Sequence, residues 1–253
     1  MSGKEIPKSD YNHQLNNILA KIIDGDGHKS DIEKAFHLIM AGANPDLRSS
    51  YYKYTILNKV IFLKDFDIFK KFVIEAKCSI NIEDFLGKKP IEYAIRFSCP
   101  SIVKFLLENE SDANETIYYP TQGKCNRLHI LIGYESANST NKDNAILIAQ
   151  TLIAKGVDLL AKNGNGMIPL ELAEKNLPQS EFTEFIKKET IKAFNKMDNN
   201  GKLNLEKPYL TELYLTEENT DLKKENADLK KENEDLKRKI ANIKEKIQWN
   251  TDW

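Results

Sequence analysis

Four stretches of the chain set apolar residues at i, i+3, i+4 and i+7: SDIEKAFHLIM at 30–40, FDIFKKFVI at 66–74, CPSIVKFLL at 99–107 and DNAILIAQTLI at 143–153. This spacing lines one face of a helix with 3.6 residues per turn. Each stretch follows a capping residue or proline that fixes where the helix starts. Each therefore predicts an amphipathic helix whose apolar face must be covered. A fifth stretch, SEFTEFIKKETIKAFNKM at 180–197, keeps apolar residues at 182, 185, 186, 194 and 197 and predicts a longer helix.

The apolar pairs that end the first four helices lead into one recurring phrase: LIMAGANPDLR at 38–48, VIEAKCSINIE at 73–83, LLENESDANET at 106–116 and LIAKGVDLLAK at 152–162. A second phrase alternates with it: YTILNKV at 54–60, KKPIEYA at 88–94, CNRLHIL at 125–131 and MIPLELA at 167–173. Thr55 to Lys89 is 34 residues, Lys89 to Asn126 is 37 and Asn126 to Ile168 is 42. The first two steps lie near a period of about 33. The longer third step carries an insertion, ESANSTNKDN, which predicts a loop between two helices.

These phrases resemble the ankyrin repeat, whose pattern runs G-x-TPLHxAA and then an outer helix ending VVxLLLxxGADxN. GNGMIPLELA and AGANPDLR are the closest matches. The resemblance covers residues 11–190 and implies an all-α fold: an ankyrin-repeat solenoid of about five helix pairs. It comprises an N-terminal pair over 11–42, repeats starting near 50, 84 and 120, and a final pair from 163, with the terminal pairs as caps. Ile56 and Arg127 replace the motif's proline, and Asn58 and Glu92 its histidine. Ala94 and Ala173 are small enough to let neighbouring short helices approach. In such a stack the hairpin tips and the open side of the short helices line one concave face. The resemblance puts Tyr51, Tyr52, Tyr54, Phe85, Tyr118 and Tyr119 at the tips and Phe62, Arg96, Phe97 and Tyr134 on the open side. Aromatic and arginine side chains dominate protein interfaces, so these ten are the candidate partner-binding residues.

A different repeat closes the chain. Leu215, Leu222, Leu229, Leu236 and Ile243 fall seven apart at position d, and Asn219, Asn226, Asn233, Ile240 and Ile247 occupy position a. Five heptads predict a coiled coil, and leucine at d with asparagine at a favours two strands. In a parallel pair Glu218 meets Lys223, Glu225 meets Lys230 and Glu232 meets Lys237, all opposite charges. An antiparallel pair would match like with like. Each exposed pair is worth only about 0.3–0.5 kcal/mol, so the isoleucines near the end carry much of the stability. The expected organisation is an ankyrin domain over 1–195, a joint over 196–212 and a parallel dimeric coiled coil over 213–249. DNNGK and Pro208 in LNLEKPYLTELYL mark the joint.

Composition narrows the function. With 253 residues, 41% of them apolar, the chain can bury a sizeable core. Thirty-seven basic and 38 acidic residues give a net charge of -1, which draws neither nucleic acid nor an anionic membrane. Cys78, Cys99 and Cys125 are odd in number and outside any CxxC spacing, as suits a reducing compartment. No apolar run reaches the roughly 18 residues of a membrane span, and MSGKEIPKSDYNHQLNN lacks the apolar core of a secretory signal. A soluble, cytoplasmic chain is expected.

Candidate chemistry is sparse. His13, His28, His37 and His129 have no companion ligand at metal spacing, and His129 stands at the histidine of the repeat phrase, where a structural hydrogen bond accounts for it. DGDGHKSDIE at 24–33 and DNNGKLNLE at 198–206 lack the glycine and glutamate of a calcium loop and predict turns. No phosphate loop, GxGxxG, GxSxG or HExxH occurs. The expectation is a protein with no catalytic, cofactor or metal site, which binds a protein partner and pairs with itself. The Lys/Asn/Ile-rich composition together with these repeats is similar to that of ankyrin-repeat effectors of intracellular bacteria. That resemblance implies translocation into a host cell, host-protein targets and a signal in KEKIQWNTDW. Two alternatives stay open. One is a regulatory or transcription-linked adaptor, for which KRK at 237–239 is the only basic cluster. The other is an enzyme with an unrecognised site, which would need a deep pocket lined by perturbed carboxylates or histidines.

Overall fold

Helices follow one another in pairs along the chain. The computed structural model describes residues 8–23, 29–50, 53–109, 111–120, 122–137, 142–198 and 222–239. Among these the pairs are α1 (Lys8–Ile23) with α2 (Lys29–Met40), α3 (Ile56–Phe62) with α4 (Phe66–Ile74), and α5 (Pro90–Arg96) with α6 (Pro100–Glu108). They continue with α7 (Arg127–Ala137) and α8 (Lys142–Ala154), then α9 (Pro169–Asn176) and α10 (Glu181–Asp198). A short hairpin joins β1 (Ile117–Tyr119) to β2 (Gly123–Cys125), antiparallel, with Tyr118 opposite Lys124. A last helix, α11, spans 222–239. The chain divides into two compact units, Met1–Thr190 and Ile191–Trp253. The division falls inside α10, earlier than the expected boundary at 195.

Local chemistry sets these elements. Proline opens α5, α6 and α9, where its missing N–H costs nothing and its φ suits the first turn. Asp65 caps α4 by accepting the Ile68 N–H at 3.0 Å. The polar exit of each recurring phrase is an Asx-type turn. Asn44, Ser79, Asp112 and Asp158 occupy the same place in the phrase. Each side chain accepts the N–H two residues on, at 3.0, 3.4, 2.8 and 2.8 Å. At the fifth place of the phrase Gly42 and Gly156 take φ of 114° and 82°, as helix ends often require. Lys77 is forced into the same region at 57°.

Within the first unit the pairs stack. The first helices pack in a row, α3 on α5 on α7 on α9, and the second helices pack as α4 on α6 on α8. Leu57, Ile61, Ile91, Ile95, Leu128, Leu131 and Leu170 are completely buried along the first row, and so are Ala94 and Ala173. The short helices are covered nearly all round, whereas the longer second helices bury one face, with Phe69 and Phe72, Ile102 and Leu106, and Ile148 and Leu152 inward. Neither row could cover itself alone, and each repeat supplies the next with its missing neighbour. Side chains of the turns add cross-links: Asp46 accepts the Ser79 N–H at 2.8 Å and Asn114 the Asp158 N–H at 2.7 Å.

Three details depart from the sequence expectations. DGDGHKSDIE is not a turn throughout, since Lys29 to Glu33 form the first turn of α2, and the buried Asp31 pairs with Lys21 at 3.0 Å. The insertion ESANSTNKDN is not wholly loop: its ends lengthen α7 to Ala137 and start α8 at Lys142. The fold is mostly helical but carries the β1–β2 hairpin, which forms the tip within the second step, Lys89 to Asn126. DNNGKLNLE beyond Asp198 and the joint residues 199–212 lie outside the described residues.

In the second unit every described residue of α11 is exposed. Leu222, Leu229 and Leu236 are 49%, 50% and 47% exposed, a stripe left bare in the single chain. Among the described residues its ion pairs run along its own surface, Lys237 to Glu234 at 3.2 Å and Arg238 to Asp235 at 3.8 Å.

Candidate functional site

The first turn of each short helix is held by a hydrogen bond between a side chain and the backbone. A side-chain acceptor at its third position bonds the backbone N–H just before the helix. Asn58 Oδ1 accepts from Thr55 N–H and from Thr55 Oγ1, both at 2.9 Å, and Glu92 Oε2 accepts from Lys89 N–H at 2.8 Å. Glu171 Oε2 accepts from Ile168 N–H at 2.8 Å. In α7 the direction reverses, with Asn126 Oδ1 accepting from His129 N–H at 3.2 Å. His129 Nδ1 lies 2.7 Å from the same oxygen and Nε2 3.0 Å from the Met167 carbonyl, so the ring ties α7 to the next hairpin. Burial pushes its imidazole below the usual value.

The free oxygen of Glu92 builds a charged core beneath the surface. Arg127 is completely buried; its Nε donates to Glu92 Oε1 at 3.1 Å and its Nη2 to Glu115 Oε2 at 2.7 Å. Lys89 closes the far side by pairing with Glu115. Burial pushes the Glu92 carboxyl up to about 7, against the pull of the Arg127 guanidinium and the Lys89 N–H. Burial acts the same way on Glu115, but hydrogen bonds and charge from Lys89 and Arg127 outweigh it and hold that group below the usual range. Arg127 Nη1 is buried with no hydrogen-bond partner. These residues join α5, α7 and the segment just before β1. The sequence shows Arg127 only as a departure from proline, and nothing local announces its burial.

Above this core runs a continuous chain of rings and cations. Lys59 lies 4.8 Å from the Tyr54 ring, Tyr54 meets Tyr93 edge-on at 5.7 Å, and Tyr93 lies 6.4 Å from Phe97. Phe97 meets Phe62 edge-on at 5.1 Å, and the Arg96 guanidinium sits 5.6 Å from Phe97 and 5.8 Å from Tyr134. Tyr134 continues to Tyr119, ring to ring at 6.4 Å and hydroxyl to hydroxyl at 3.2 Å, and Lys88 lies 5.0 Å from the Tyr119 ring. Eight of the ten candidate partner-binding residues lie among the described residues: Tyr54, Phe62, Arg96, Phe97, Tyr119 and Tyr134 belong to the chain of rings, and Phe85 and Tyr118 are exposed at the tips. Phe62 is 63% exposed, Tyr118 71% and Phe85 53%. Tyr51 and Tyr52 lie outside the described residues. Lys59, Lys88 and Tyr93 are members that the sequence reading missed; their places one turn from, or beside, the tip residues were the available signal. The Tyr93 hydroxyl donates to Asp84 at 2.5 Å.

Two hairpins hold this layer's edge. Gly164 N–H donates to the Lys124 carbonyl at 3.0 Å, and a Cβ on Gly164 would lie 2.6 Å from Gly123 Cα. Only glycine permits backbones this close.

Of the expected dimerisation residues, Leu222, Asn226, Leu229, Asn233 and Leu236 lie on α11 and are exposed. Leu215, Asn219, Ile240, Ile243 and Ile247 lie outside the described residues. Among the described residues no cluster of three or more His, Cys, Asp or Glu could hold a metal ion, and no helix is long and apolar enough to cross a membrane. Cys78, Cys99 and Cys125 are buried free thiols, and burial pushes all three upward. A groove of about 550 Å³ between α6 and α8, lined by Lys104, Leu147 and Thr151 among others, contains neither histidine nor cysteine. Compared with known proteins, the sequence matches no family model and no curated protein.

Proposed function

We propose that the chain is a non-enzymatic interaction scaffold: an ankyrin-like stack that grips a partner protein, carried on a coiled coil that pairs two copies in parallel. The observation that carries this reading is the unbroken layer from Lys59 to Lys88, which spans three successive helix pairs and buries little of Phe62 or Arg96. Aromatic and arginine side chains held in place by one another bind a partner at small entropic cost. The stacking of the pairs and their shared Asx turns support the ankyrin likeness. The bare leucines of α11 and the opposite charges of Glu225 with Lys230 and Glu232 with Lys237 support the pairing. Two linked surfaces would gain avidity for a target that presents two copies of its motif. Delivery into a host cell belongs to the same reading and rests on the Lys/Asn/Ile-rich composition and the effector resemblance.

The test is affinity capture from host-cell lysate with the full chain, comparing wild type with a Phe62→Ala, Phe97→Ala, Tyr119→Ala variant of equal thermal stability. Proteins held by wild type should be lost from the variant. Identical capture by both would show that this face is not the binding surface.

A further inference from the structure

The layer carries a marked asymmetry of charge. Its acids are turned inward: Glu92 and Glu115 are held by Arg127 and Lys89, and Asp84 accepts from the Tyr93 hydroxyl and from the Leu86 and Lys88 N–H groups. Three further cations lie at least partly exposed: Arg96 is open to solvent, and Lys59 and Lys88 are half-buried. Lys59, Lys88 and Arg96 lie over ring faces, and among the described residues none of their charged groups has a carboxylate within ion-pair distance. A ring face orients a cation without neutralising it. A chain with almost equal numbers of acidic and basic residues therefore presents unbalanced positive charge on this one face, beside the exposed ring of Phe62.

We propose that the face selects an acidic protein segment, whose carboxylates pair with Lys59, Lys88 and Arg96 and whose apolar side chain covers Phe62. This rests on the protein-binding reading above and adds the chemistry of the partner. Charge complementarity chooses the occupant. Single-stranded nucleic acid is also anionic, but it needs open ring faces on which bases stack. Here Lys59 covers Tyr54, Lys88 covers Tyr119, and Arg96 lies against both Phe97 and Tyr134, while the remaining contacts with Phe62 and Tyr93 are edge-on or tilted. Of the rings in this layer only Phe62 keeps most of its surface open, which leaves no run of platforms for successive bases. Carboxylates need only the charges, which remain accessible at the exposed Arg96 and the half-buried Lys59 and Lys88.

The experiment selects a displayed library of random dodecapeptides on the full-length chain, in parallel on three proteins. These are wild type, a charge variant (Lys59→Gln, Lys88→Gln, Arg96→Gln) and a ring variant (Phe62→Ala, Phe97→Ala). Peptides recovered on wild type should be rich in Asp and Glu. By fluorescence anisotropy their affinity should fall about tenfold in the charge variant and should also fall as salt is raised on wild type, a measurement that needs no variant. A charge-retaining variant (Lys59→Arg, Lys88→Arg, Arg96→Lys) should keep them. Recovered peptides that are neutral or basic, or acidic peptides bound equally by the charge variant and indifferent to salt, overturn the proposal. If neutral peptides are recovered and lost only in the ring variant, the acidic partner is wrong and the protein-binding face stands. If no pool depends on either variant, both fail. Oligothymidylate that binds wild type more tightly than the recovered peptides overturns the proposal in favour of nucleic acid.

Discussion

Two regions of this chain are written as repeats, the helix pairs of the first unit and the heptads of α11, and they differ in what satisfies them. In the stack each repeat finds its neighbour inside the same molecule: the short helices α3, α5, α7 and α9 are mostly buried, and Glu92 and Arg127 meet across 35 residues of sequence. In α11 every described residue is exposed, the leucines of its stripe included. A repeat whose units are joined by turns can close on itself. A single helix, whose seam residues all lie along one rod, needs another rod. On the pairing proposed above, stability resides in the first region and association in the second.

The comparison is broken most severely at Arg127. Arg127→Ala strands the buried Glu92 and removes one partner of Glu115, and should cost about 3–5 kcal/mol in urea unfolding followed by circular dichroism. A loss below about 1 kcal/mol would mean that the stack does not depend on its cross-repeat charges. Gly164→Ala places a Cβ against the Gly123 backbone and should cost about 1–3 kcal/mol, read in the same way. Lys77→Gly relieves a left-handed backbone at a helix end and should raise stability by about 0.5–1 kcal/mol, since the strain exceeds the added freedom of the unfolded chain. The smallest effect on the stack is expected from Leu222→Ala, Leu229→Ala and Leu236→Ala together. Its unfolding midpoint should stay within about 0.5 kcal/mol of wild type, while sedimentation equilibrium shifts from dimer to monomer. A large loss of stack stability in that variant would erase the distinction between the two regions.

Much of the helical layout was legible because its causes are local. Apolar spacing marked α2, α4, α6 and α8, and prolines marked the starts of α5, α6 and α9. The shared phrase located turns whose Asn, Ser or Asp side chains bond the backbone two residues on. The insertion was read as loop because Ser, Asn and Thr are turn formers, yet packing against neighbouring pairs extends α7 and α8 into it. For the candidate site, the aromatic members were visible as residue types at hairpin tips. Lys59, Lys88 and Tyr93 were not, since lysine on a helix or in a turn is ordinary; Lys88 takes its place from Tyr119 in the next repeat and Lys59 from Tyr54 in its own.

What the sequence determined by itself is the sequence of elements and the two periods, near 33 and of 7, because helix periodicity, caps and turns act over a few residues. Tertiary structure alone decided that an arginine standing in a proline's place would be buried between two glutamates, that Gly123 and Gly164 would touch, and that acids would face inward and cations lie partly exposed over aromatic rings. The first two outcomes depend on residues 12 to 41 apart being brought together by stacking, and no local pattern encodes which partner each will meet.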